Sequence, residues 1–456
     1  MSGHPQPPEA APRPFRKAVA AASIGNFIEW YDFALYGFFA KAIADTFFPS
    51  GDARASLLLT FAVFGMSFVV RPLGGLIFGH MGDRIGRRAS MSLIVILISV
   101  ASAAMALVPG YDTIGIAAPI LIFVLRCVQG ISAGGEWASS ASYVVEHAPP
   151  GRRAFAGSWQ TSTIALGMLT AALSAVVVSL STGAEAAASW GWRIPFLVSL
   201  PLGLVGLYLR LRLGESPEFE KVDPGEAERR PLRAALRRDW RSILLIAGLT
   251  AAPTMCTYVL LVYGPTFLST DLGMDPQQAR LAGVAGFAFM AVAVVPASML
   301  SDRFGRRPFL IAGAIWVAVS SLLTLSLMHT GRWYLVVAGL ILTLVGDVMM
   351  LAPQPALFCE LFPTSRRASG VSVGYNLGVI LFGGAGPYIS GTLVEVTAST
   401  YAPGWYLMGG ATLSLIAATM TPETLRTSLR DGVTRLTGRR GRGERGPASI
   451  HEIAEA

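Results

Sequence analysis

Charge is what this chain lacks. Only 14% of its 456 residues are Asp, Glu, Lys or Arg, against roughly 25% in a soluble domain. A chain that is 53% hydrophobic, with mean hydropathy +0.54, has too little polar surface to cover a water-soluble core. A soluble globular protein is excluded, and lipid is the solvent for much of the chain. Cysteine is scarce too. Cys127, Cys256 and Cys359 are scattered through apolar runs, with neither close pairing nor metal-ligand spacing. They are expected as small buried hydrophobes, not as a disulfide scaffold or a metal centre. There is no nucleotide-binding loop, metal cluster or nucleophile motif, so neither enzyme chemistry nor a cofactor or metal is expected. The Pro-rich, polar N-terminus carries no cleavable signal pattern. A net charge of +8 could point to nucleic acid, but the basic residues sit in short loops at the ends of apolar segments. No nucleic-acid partner is expected.

What the chain has is long apolar runs. A spanning helix needs about 20 such residues, and that ruler finds about twelve, from 18–43 to 401–421. The longest polar stretch falls midway. It divides the chain into an N-terminal segment (1–17), a six-helix bundle (18–213), a hydrated central loop (214–240), a second bundle (241–421) and a basic, loosely ordered tail (422–456). Arg13, Arg16 and Lys17, then Arg84, Arg87 and Arg88, then Arg152 and Arg153, the central loop, Arg303, Arg306 and Arg307, and Arg366 and Arg367 fill alternate connections. By the positive-inside rule these connections and both termini face the cytoplasm of a cell-membrane, multi-pass protein.

The two bundles are copies. Gly79-His80-Met81-Gly82-Asp83-Arg84-Ile85-Gly86-Arg87-Arg88 returns as Ser301-Asp302-Arg303-Phe304-Gly305-Arg306-Arg307. Glu146, six residues before Arg152, is matched by Glu360, six residues before Arg366. A third, fainter pair is Tyr36-Gly37 and Tyr263-Gly264. Two parallel repeats with a substrate path between them is the architecture this implies.

These residues resemble the major facilitator superfamily. Both Gly-x-x-x-Asp-Arg-x-Gly-Arg-Arg-like loops stand where its signature does, although the second has Ser298 in place of the first Gly. Arg126-Cys127-Val128-Gln129-Gly130 looks like its helix-four motif. Gly25-Asn26-Phe27-Ile28-Glu29-Trp30-Tyr31-Asp32-Phe33, Gly134-Gly135-Glu136 and Glu215-Ser216-Pro217-Glu218-Phe219 are similar to the metabolite:proton symporter family within it. That family resembles carriers of citrate, 2-oxoglutarate, shikimate, proline and betaine. The resemblance implies an all-α membrane protein of two pseudo-symmetric six-helix bundles that works as a monomer on a small-molecule substrate and protons.

The candidate transport residues are charges inside apolar helices. A carboxylate in a bilayer costs roughly 2.5–3.5 kcal/mol on insertion scales, so it faces the bundle interior and has a role. Asp32, Glu29 and Glu136 are candidate proton-coupling groups; the alternative for each is a structural helix–helix contact. Arg126 cannot discharge by losing a proton. It is expected to pair with Asp32 in the empty carrier and with a substrate carboxylate in the loaded one, or else to hold helices one and four together permanently. Gln129 shares its face. Asp347 is either a contact for a cationic substrate group or structural. Tyr36, Trp159, Gln160, Tyr258, Tyr375 and Asn376 are candidate cavity residues, each open to a packing role.

The signature loops are expected to form a cytoplasmic gate of Gly79, Asp83, Arg84, Gly86, Arg87, Arg88, Glu146 and Arg152 in the first half. Its second-half members are Asp302, Arg303, Gly305, Arg306, Glu360 and Arg366. By the superfamily resemblance, Asp83 meets the N-terminus of a helix from the other half, whose dipole favours negative charge. Arg87 and Arg88 are expected against acids such as Glu146. The function expected is proton-coupled symport of a small organic anion or zwitterion by alternating access. A proton-coupled antiporter that exports a metabolite or drug is the alternative. A non-transporting receptor would carry a large soluble domain, and the sequence has none.

Overall fold

A computed structural model gives the fold. It describes residues 13–85, 87–134, 136–146, 148, 149, 151–211, 231–363, 367–427, 429 and 433. Within these, the side chains of 13–22, 76, 79, 80, 82–91, 139, 143, 184, 209, 210 and 231–234 lie outside the description. The described residues are helical, with no strand among them. Backbone groups in lipid must be satisfied within the segment, and helices do this.

The helices join into twelve rods. In the first half these are α1 (Arg13–Phe38, continued by Ala40–Phe47), α2 (Ala53–Val69 and Arg71–Ile85), α3 (Arg87–Leu107), α4 (Ala117–Ala133 and Glu136–Glu146), α5 (Arg153–Thr182) and α6 (Arg193–Leu211). In the second they are α7 (Trp240–Met255, Cys256–Tyr263 and Gly264–Thr270), α8 (Pro276–Phe304), α9 (Arg306–Met328) and α10 (Trp333–Leu351 and Gln354–Glu360). The last two are α11 (Arg367–Gly378, Val379–Gly384 and Gly386–Thr397) and α12 (Ala402–Met420). Among the described residues, nine helical runs are long and apolar enough to cross a membrane by length and composition. The halves meet along α5 and α8 and along α2 and α11.

Several features shape the rods. Asp52 caps α2 through the Arg54 N–H (2.9 Å) and Asp275 caps α8 through the Gln278 N–H (2.9 Å). Pro276 and Pro403 stand in the first turn of α8 and α12, and Pro265, Pro355 and Pro387 in the first turn of the last segments of α7, α10 and α11, where a missing N–H is best tolerated. Inside α7, Pro253 is followed by a π-helical stretch, Cys256–Tyr263; α11 has one at Val379–Gly384. Such local unwinding is common at functional sites. Between α2 and α4 the backbones touch: a Cβ on Gly130 would lie 1.9 Å from the Ser67 carbonyl oxygen, and one on Gly134 1.8 Å from that of Arg71. The packing role of these glycines follows.

Two expectations about loops change. The stretch 79–88 is not an open loop: helix runs through Ile85 and resumes at Arg87, with Gly86 outside the described residues. Its copy is tighter still. Ser301–Phe304 form the last turn of α8, Arg306 opens α9, and Gly305 alone, at φ 107°, reverses the chain. Only glycine takes that conformation without strain. The Glu423 carboxylate then accepts from the N–H groups of Arg306 and Arg307 (both 3.0 Å), capping α9. The central loop also contains a short helix, Pro231–Arg238, which packs against α11.

Candidate functional site

A cavity of about 60 Å³ lies between the halves, walled by Trp30, Trp137 and Met168 on one side and Tyr258, Met290, Gln354 and Tyr375 on the other. It has room for only a few waters, so the protein is closed around its centre. Trp137 of α4 and Tyr375 of α11 stack across the interface with ring centroids 4.0 Å apart. Trp30 and Tyr258 make a second aromatic contact across it, at 6.5 Å.

Behind the N-terminal wall lies a buried charged array. Glu29 and Arg71 form an ion pair at 3.4 Å, both side chains essentially out of solvent. The Arg71 guanidinium also lies over Phe33 (4.7 Å), Phe68 (4.6 Å) and Trp30 (5.4 Å). Arg126 sits over Phe33 (4.8 Å), Tyr36 (4.5 Å) and Phe64 (5.1 Å), so Phe33 is shared by the two guanidinium groups. Ring faces attract cations and tolerate their desolvation. Arg126 donates to Gln129 Oε1 (2.8 Å) and Ser67 Oγ (3.0 Å), and Gln129 Nε2 donates to Ser102 Oγ (2.6 Å). Ser102 and Ser199 face Asp32, with Ser199 donating to Oδ1. Arg126 therefore communicates with Asp32 through Gln129 and Ser102.

This corrects the expected pairing. Arg126 and Asp32 form no direct ion pair; the ion pair to a helix-one carboxylate is made by Arg71. Arg71 was missed because it stands inside the apolar run Val69-Val70-Arg71-Pro72-Leu73. That position is the signal that could have revealed it, since a lone cation in such a run must be buried with a partner. Asp32 is fully buried but does not line the cavity.

The other candidates divide. Tyr258 and Tyr375 line the cavity. Tyr36 is buried beneath Arg126. Trp159 does not face the cavity: it is 43% exposed and meets Phe155 edge-on, because its position on α5 turns it to the outer surface. Gln160 faces inward instead, donating to the Trp137 carbonyl (3.0 Å). Asn376 bridges the halves, donating to the Gly134 carbonyl (3.1 Å). Glu136 is buried at the start of the second segment of α4. Asp347 is buried on α10 but is not part of the cavity wall.

At the arginine-rich end the halves are tied together. Asp302 of α8 accepts from the N–H groups of Ala154 (3.1 Å) and Phe155 (2.8 Å) at the start of α5. Arg306 holds Asp302 from behind at 2.8 Å. Glu360 pairs with Arg153 (3.3 Å) and accepts from Thr424 (2.6 Å), and Glu146 pairs with Arg367. The tail expected to be loose joins in: Arg153 donates to the Thr427 carbonyl (2.9 Å) and Arg367 to that of Leu429. Arg152, expected in the gate, is exposed; the helix turn gives the role to Arg153. Arg303 is likewise exposed, lying over Phe304. Gly86 and Arg366 lie outside the described residues, as do the side chains of Asp83, Arg84, Arg87 and Arg88 and the surroundings of Gly79.

Comparison with known proteins places the chain. Residues 18–230 match the family model described as sugar (and other) transporter, and residues 250–437 match that of the major facilitator superfamily. The proline/betaine transporter of Escherichia coli K12 is 35% identical over 419 residues, spanning 90% of this chain and 84% of that protein. The chain belongs to the major facilitator superfamily. The citrate-proton symporter of Salmonella typhi is 34% identical over 416 residues, spanning 88% of this chain and 93% of that one. A solved structure of the proton:xylose symporter of E. coli superposes with TM-score 0.72 at 18% identity, over 91% of this chain and 98% of that one. The twelve rods are the superfamily's two six-helix bundles, and the protein is a transporter.

Proposed function

We propose that the protein carries a small carboxylated metabolite, anionic or zwitterionic, together with protons, by alternating access. The observation that supports this most is the pair of buried guanidinium groups, Arg71 and Arg126, set around Phe33 beside the cavity between the halves. An arginine in an apolar bundle needs a partner. Arg71 has Glu29, while among the described residues Arg126 has only neutral acceptors, Gln129 and Ser67, besides its rings. Substrate carboxylate is the counter-charge that suits this site, by a charge-assisted, bidentate contact. Its arrival weakens the hold of Gln129 on Ser102 and thereby of Ser102 on Asp32, freeing that carboxylate to take a proton. The names of the relatives, proline/betaine transporter and citrate-proton symporter, support both the carboxylated class and the coupling. The arginine-rich end faces the cytoplasm, by the positive-inside rule, and the protein works as a monomer in the cell membrane.

The test is uptake into proteoliposomes under an imposed proton gradient, across a panel of carboxylated metabolites. Asp32→Asn is expected to abolish gradient-driven accumulation while sparing exchange at equal pH. Full proton-driven uptake by that variant would sink the coupling role. Arg126→Lys keeps the charge but loses the planar fork, so its substrate affinity is expected to fall by about 10-fold or more, the worth of roughly 1.4 kcal/mol.

A further inference from the structure

The second half holds a carboxylate that nothing above uses. Asp347 has no solvent exposure, and neither of its oxygens has a hydrogen-bond partner among the described residues. It lies 14 residues after Trp333 and 13 before Glu360, so about 20 Å from either end of α10 at 1.5 Å per residue. On a helix, residues four and seven further on share its face. Those are Leu351 and Gln354, and both line the central cavity. From α7, Cys256 lies within electrostatic reach of it, next in sequence to the cavity residue Thr257. Asp347 thus stands one helical turn behind the cavity wall.

The elements packed on the Trp333–Leu351 segment of α10, which holds Asp347, bring it no counter-charge. On α8 the charged residues are Arg280, Asp302 and Arg303, all near its ends; on α9 they are Arg306 and Arg307, at the start. α7 has Arg241 near its start and, towards the middle, only the neutral groups Cys256, Tyr258 and Tyr263. No ion pair reaches Asp347 among the described residues. A carboxylate left charged there would bear its full desolvation cost with no hydrogen bond to offset it.

We propose that Asp347 is a second proton-binding site, in the half opposite Asp32, loaded in this closed state. The inference rests on the proton-symport reading above. A proton taken from water binds one carboxylate oxygen and gives the neutral acid. It leaves to water when the π-helical stretch of α7 shifts and opens the cavity to Asp347. Each cycle then moves one proton through each half.

The experiment uses the full-length protein in proteoliposomes with the membrane potential clamped at zero and a one-unit pH gradient. Labelled proline, glycine betaine, citrate and shikimate are the probes. Asp347→Asn, nearly isosteric, is expected to lower steady-state accumulation about tenfold, the equilibrium worth of one proton across one pH unit. Exchange at equal pH is expected to persist, and Asp347→Glu to restore accumulation. An unchanged accumulation ratio in Asp347→Asn overturns the proposal, as does drive by a sodium gradient that this variant loses. A second arm needs no substrate. Infrared difference spectra of the solubilised protein at neutral pH are expected to show a carboxylic-acid C=O band in the wild type that Asp347→Asn lacks. Identical spectra refute the loaded site. If no probe accumulates in the wild type, the symport reading fails, and the infrared arm still decides Asp347.

Discussion

The two ends of the bundle are closed by different means. At the arginine-rich end the halves are joined by Arg153–Glu360, Arg367–Glu146 and the Asp302 carboxylate on the start of α5, with Glu360 and Arg367 almost wholly buried. At the opposite end the ties between halves among the described residues are the ion pair of Arg54 with Asp271 and a hydrogen bond from Arg280 to Ser179 (2.9 Å). There Arg54 is half exposed while Asp271 is nearly buried, and a vestibule of about 500 Å³ opens beside the pair. A buried charge stripped of its partner costs about 3–5 kcal/mol, whereas a surface pair is worth about 0.2–1 kcal/mol. The protein is therefore bolted on one side and held by a light catch on the other. On this contrast the closed state is expected to open more readily on the catch side.

The largest break in this contrast comes from Glu360. It faces Arg153 and Arg306 and accepts from Thr424, so Glu360→Gln leaves two arginines without their shared acid. We expect the bolted end to lose about 3 kcal/mol of closure, roughly a 100-fold rise in its open population. The chain carries its own reporter. Cys359 is fully buried against Ser142 of the other half. Its maleimide labelling rate, followed by mass spectrometry of that peptide, is expected to rise accordingly. No change would show that the ion pair merely decorates an end closed by packing.

Asp302→Asn sharpens the contrast with a smaller effect. The asparagine keeps the shape and an acceptor for Phe155 but removes the charge that the α5 dipole and Arg306 both favour. Such a charge at a partly buried helix start is worth up to about 2 kcal/mol, so Cys359 labelling is expected to rise by about 10- to 30-fold. The pseudo-symmetric variant Asp83→Asn is expected to act in the same direction. An effect from only one of them would show that the two signature motifs are unequal.

How much of this was legible in the sequence depends on what each feature rests on. The twelve rods and the duplication were, because apolar length and repeated loops are properties of the chain itself. The Glu146 and Glu360 repeats were found as a spacing to Arg152 and Arg366; Arg152 proves exposed, and Arg366 lies outside the described residues. Arg153 and Arg367 do the pairing, and each glutamate reaches across to the other half, as a twofold relation between repeats requires. Two adjacent arginines are equivalent in a sequence; the helix phase that turns one inward is fixed only by packing. Trp159 and Gln160 show the same effect, neighbours on α5 of which one faces out and one in. Asp32 and Arg126 were visible as charges in apolar runs. Their link through Gln129 and Ser102 was not, since it joins α1, α3 and α4 through side chains far apart in sequence.

The smallest effect tests the light catch. Asp271→Asn removes one partner of a pair whose other member, Arg54, can turn to water, so about 0.2–1 kcal/mol is at stake. The sign is opposite to that of the bolts. States open at the arginine-rich end keep the catch closed, so weakening the catch disfavours them. Cys359 labelling is therefore expected to fall, by at most about fivefold. Raised salt should reproduce the fall in the wild type and do nothing further in the variant, because a half-exposed pair is screened and a neutral one has nothing to screen. The Glu360 bolt, being buried, should respond little to the same salt. Equal salt sensitivity at both ends would erase the distinction between bolt and catch.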